Sequence, residues 1–99
     1  MTKIKKLVEK IDEELCDAKE YAEKYVECKA AGNSMWANRY KEMSNEELKH
    51  AMYLHDKAVL DIGELNKIFK PTQKMQDKWD KSHAEYVEKE AWIKQMLAM

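Results

Sequence analysis

A chain of 99 residues with 37% charged side chains, two glycines and one proline has room for one domain over 1–99 built from few, long elements. Lys, Glu and Ala far outnumber β-branched residues, which excludes an all-β fold. The net charge of −1 comes from interleaved acids and bases, so no basic face is set out for nucleic acid or an anionic membrane.

From Thr2 to about Ala31, the residues Ile4, Val8, Ile11, Leu15, Ala18, Ala22 and Tyr25 recur at alternating steps of four and three. This spacing predicts a first helix over about 2–31. A parallel row of Leu7, Glu14, Tyr21 and Cys28 widens its apolar face and carries one carboxylate. Cys16 and Cys28 stand roughly 18 Å apart along this helix, too far for a disulfide, and read as small half-buried hydrophobes. Two free thiols, no run of roughly 18 apolar residues and no signal-like segment after Met1 predict a cytoplasmic protein.

Ala31-Gly32-Asn33-Ser34 offers a glycine for a left-handed helix end and a polar cap for the next helix, so helices 1 and 2 are expected to form an antiparallel hairpin. Helix 2, over about 34–69, reads Trp36, Tyr40, Met43, Glu47, Ala51, Leu54, Ala58, Ile62, Leu65 and Phe69, with a potential break at Gly63. His50 shares its apolar face, and His55 falls at the margin, where a surface position is expected. Pro71 opens helix 3, over about 71–98, whose stripe is Met75, Trp79, His83, Tyr86, Glu90, Ile93 and Leu97. The aromatic residues read as core anchors and the seven methionines as core filler.

A carboxylate in a core stripe must be paired, protonated or bound to a cation. Glu47 and His50, three apart, lie side by side on one helical face, where an oxygen and an imidazole nitrogen can reach one metal ion. Counting from the hairpin turn puts Glu14, Glu47 and His50 at roughly 27, 20 and 24 Å, within about one turn of each other. Two readings follow: a metal site, or a polar network closed by a lysine or by Tyr21, Tyr40 or Tyr53.

Two segments, Glu13-Glu14-Leu15-Cys16-Asp17-Ala18-Lys19-Glu20-Tyr21 and Asn45-Glu46-Glu47-Leu48-Lys49-His50-Ala51, resemble the ferritin-like superfamily, bacterioferritins above all, with rubrerythrins and encapsulated ferritins as relatives. Glu47 follows Glu14 by 33 positions, a gap like that in bacterioferritins. The resemblance implies that Glu14 is a terminal iron ligand, that Glu47 bridges two irons, that His50 caps one of them, and that Tyr21 supports the site. A further segment, Asp80-Lys81-Ser82-His83-Ala84-Glu85-Tyr86-Val87-Glu88, looks like the family's fourth helix with Asp80 in place of Glu.

One carboxylate-bearing helix of the family pattern has no counterpart, so the expected fold is a ferritin-like three-helix antiparallel bundle. Two completions of the site are open. A homodimer or higher oligomer would bring two sets of Glu14, Glu47 and His50 together and cover the face the missing helix leaves bare. Alternatively, His83 with Asp80 or Glu90 completes the site within the chain. The ligand set suits iron, with manganese or zinc as alternatives, and the resemblance implies ferroxidase or peroxide chemistry. The competing expectation is a metal-free helical interaction or adaptor protein of bacterial or phage origin.

Overall fold

The computed structural model describes residues 2–99, so Met1 of the expected domain lies outside the described residues. They form three helices, α1 (Thr2–Ala30), α2 (Ser34–Asn66) and α3 (Gln73–Leu97), with no strand among them. The three pack as a bundle drawn out into a rod of 55 × 17 × 17 Å, and none is long and apolar enough to cross a membrane.

α1 ends where Gly32 takes a φ of 76°. There the amides of Gly32 and Asn33 donate to the carbonyls of Lys29 and Cys28, using the acceptors a helix end leaves free. The Asn33 side chain accepts from the Trp36 amide at 3.3 Å and starts α2 at once. This compact turn fixes the pairing of the first two helices. Ser44 Oγ donates to the Ala18 carbonyl at 2.7 Å, Glu14 meets His50, and Lys3 meets Asp61. The seam is lined by Ala18, Ala22, Ala37, Ala51 and Ala58, all almost fully buried. Such small side chains let the two backbones approach closely.

α2 runs unbroken through Gly63 and ends at Asn66, short of Phe69. α3 begins at Gln73 rather than at Pro71, because Thr72 is the cap and accepts from the Met75 amide at 3.2 Å. Pro71 therefore lies ahead of the extended cap residue and outside the helix. The second half of α3 buries Tyr86, Ile93 and Leu97 against α1 and α2. Its first half stands off, leaving a cleft of about 520 Å³ lined by Ile4, Val8, Ile62, Leu65, Met75 and Trp79. α3 packs more closely on α1 than on α2.

Candidate metal centre

Glu14 sits on the α1 face beside the alanine seam and is buried. The α1 residues that line the trough shared with α3 are Asp12, Leu15, Cys16 and Lys19. Helical stepping puts Glu14 on the opposite side of the seam from Asp12, Cys16 and Lys19. From α2, Glu47 and His50 reach the same level one turn apart. His50 Nδ1 lies 3.6 Å from one Glu14 oxygen and 3.8 Å from one Glu47 oxygen. Exposure grades across the three, from 11% for the Glu14 side chain through 22% for Glu47 to 56% for His50. The group is therefore a half-open mouth with its most buried carboxylate at the back.

An oxygen of each carboxyl lies within 4.8 Å of the other. Hydrogen bonding to Glu14, reinforced by burial and by the Glu14 charge, pushes Glu47 up to about 7. The proton-bearing Glu47 in turn holds Glu14 below its ordinary value in spite of burial, with help from Lys10 and His50. Lys10 Nζ stands 3.3 Å from the other Glu14 oxygen, on a side chain that is 54% exposed. Tyr21 stacks with Tyr40, ring centroids 6.3 Å apart, and makes no hydrogen bond to the trio among the described residues.

One ligand atom from each of Glu14, Glu47 and His50 lies within 4.8 Å of the others. Two ligands bound to one ion at about 2.0–2.2 Å each are separated by roughly 3–4 Å, so the donor set fits one divalent ion after small rotations. Carboxylate pairs held at partial ionisation are a common preparation for a cation, which replaces the shared proton.

His83, Asp80 and Glu90 stand apart from this group. Asp80 accepts from Gln76 at 2.9 Å, and Glu90 accepts from Lys94 at 2.7 Å. His83 Nδ1 lies 2.9 Å from Nε2 of His55, which is half-buried rather than at the surface. Its ring lies flat on Tyr86, 4.2 Å between centroids and 7° between planes. The sequence carried a signal for this pair once the helix ends are known. His55 precedes the end of α2 by about as many residues as His83 follows the start of α3, which sets the two imidazoles at one height.

No protein-family model, curated protein or solved structure matches the chain.

Proposed function

We propose that the protein binds a divalent metal ion through Glu14, Glu47 and His50, and that it is a ferritin-like bundle shortened to three antiparallel helices. The observation that carries this reading is the convergence of two carboxylates and one imidazole within 4.8 Å on the half-open side of the α1–α2 seam. The pairings of Ala18 with Ser44 and of Lys3 with Asp61 support the antiparallel course. Iron is the preferred ion, and manganese or zinc suits the same donors. When bound, the ion supplies Lewis acidity or, as iron, redox chemistry. The chain's own part is to hold two oxygens and one nitrogen in place and to give up the proton on Glu47.

A second copy is part of this reading. One chain offers half the donor set of a di-iron centre, and the iron-oxidising activity belongs to a centre completed by the partner. Trp36, Tyr40, Tyr21 and Met43 leave apolar surface partly exposed on or near the seam that carries the trio, and covering it would favour association. Lys10 favours the competing reading, a metal-free interaction protein, because it already gives Glu14 a cation at 3.3 Å.

Thermal melts of metal-free protein with Fe(II) under anaerobic conditions and with Mn(II), alongside sedimentation, decide between them. The expected result is a rise of several degrees with either ion and a doubling of mass, both lost in Glu47→Ala. A melt that ignores both ions, with Glu47→Ala no less stable than the parent, overturns metal binding.

A further inference from the structure

We infer that His55 and His83 form a second, independent metal site, a two-imidazole clamp across α2 and α3 for a late first-row divalent ion such as Ni(II), Cu(II) or Zn(II). The site goes beyond the Glu14 reading, since neither histidine belongs to that group.

The facing nitrogens are 2.9 Å apart and the ring centroids 5.0 Å apart, with 27° between planes. Nearly the whole centroid separation is thus taken up along the line joining the nitrogens. The rings meet edge to edge, each nitrogen directed at the other, rather than lying face over face. Two metal–nitrogen bonds of about 2.0–2.1 Å at a tetrahedral angle span roughly 3.3 Å. Admitting an ion therefore needs a widening of a few tenths of an ångström.

His55 is held for this role by the flat contact with Tyr86 and by Trp79, whose centroid lies 5.8 Å away. His83 is exposed, so it can make the small adjustment and leaves the remaining coordination positions to water. Asp56 and Glu90 both place negative charge near His55, which favours a cation between the rings. Burial, with His83 beside it, lowers the pKa of His55, the direction that favours the uncharged ring a metal ligand requires. A proton on either facing nitrogen moves to the outer nitrogen of its own ring as the ion takes its place. An all-imidazole protein donor set prefers copper, nickel and zinc over manganese or iron. Because α3 packs less closely on α2 than on α1, the ion acts as a strut between the two.

Calorimetric titration with Ni(II) at pH 7.5 tests the site in a Glu47→Ala chain, where the Glu14 group is disabled. One Ni(II) per chain is expected, with an affinity independent of protein concentration and reduced at least tenfold by His83→Ala or His55→Gln. His83→Ala is the deciding variant because the residue is exposed and its loss leaves the core intact. Zn(II) is expected to move the imidazole nitrogen resonances of His55 and His83 and to leave those of His50 in place. Absence of Ni(II) uptake by the Glu47→Ala chain, or equal affinity after His83→Ala, overturns the proposal. Failure of the Glu14 reading leaves this result untouched, since His83→Ala keeps that group whole and the Glu47→Ala chain lacks it.

Discussion

Glu47 keeps a proton to about pH 7 because it is hydrogen-bonded to a second carboxyl, that of Glu14, and is partly buried. Between the ordinary value of 4.5 and about 7, the folded chain holds a proton on Glu47 that the unfolded chain has released. The folded state binds more protons in that window, so this contribution is complete below it and is lost as pH rises through about 7. Glu14, held low, acts in the opposite sense, and its share is lost as pH falls below 4.5. Glu47→Gln keeps a donor facing Glu14 at every pH. In the absence of metal it should be more stable than the parent at pH 8 by about 1 kcal/mol, after allowance for solvent screening. The two melting curves should converge toward pH 5, and the difference between them separates this pair from the histidines. A difference that is flat from pH 5 to 8 would show that the carboxyls do not share a proton.

The trio was legible in the sequence because the turn at Gly32 is short. Counting outward from one tight turn carries little error, so Glu14, Glu47 and His50 come out at one level. The His55–His83 pair was not legible, because the chain between α2 and α3 spans 67–72 and neither helix end is marked by a glycine cap. A shift of three residues in one end moves a side chain by nearly a turn and changes its partner.

At the scale of the element, α2 is informative because it is continuous where a glycine invited a break. Gly63 is exposed, its φ is not positive, and a Cβ added there meets nothing within 4 Å. Its cost is therefore backbone entropy with no return in packing. Gly63→Ala should stabilise the protein by about 0.5–1 kcal/mol, read as a higher melting temperature with unchanged helical circular dichroism per residue. A lower melting temperature would mean that α2 needs flexibility there. The stripe of Ala51, Ala58, Ile62 and Leu65 continues across Gly63 in the sequence, and tertiary burial of that stripe overrides the local preference. The end at Asn66 was less legible, since Leu65 and Phe69 extend the same periodicity. The Ile68 and Phe69 amides donate to the Leu65 carbonyl in a last turn, after which the chain leaves for the Thr72 cap.

As a whole the molecule is a rod with a Cα radius of gyration of 16.1 Å, against the roughly 12–13 Å of a globule of this length. So narrow a body has little interior: Leu15, Ile93 and Ser44 are the largest side chains fully buried. The alanine seam couples residues near in sequence, such as Ala18 and Ser44, whereas α3 returns to α1 across the length of α2. Ordering α1 against α2 closes a turn of a few residues, but docking α3 on α1 closes a far longer loop. The pairing of α1 with α2 should therefore form in the folding transition state and α3 should land later. Ile93→Val is expected to speed unfolding and leave the folding rate nearly unchanged, while Ala51→Gly slows folding. Equal slowing of folding by both would mean that the three helices condense together. In stopped-flow terms, the half of the rod that brings Glu14, Glu47 and His50 together is assembled before its third helix arrives, and the clamp at His55 and His83 closes last.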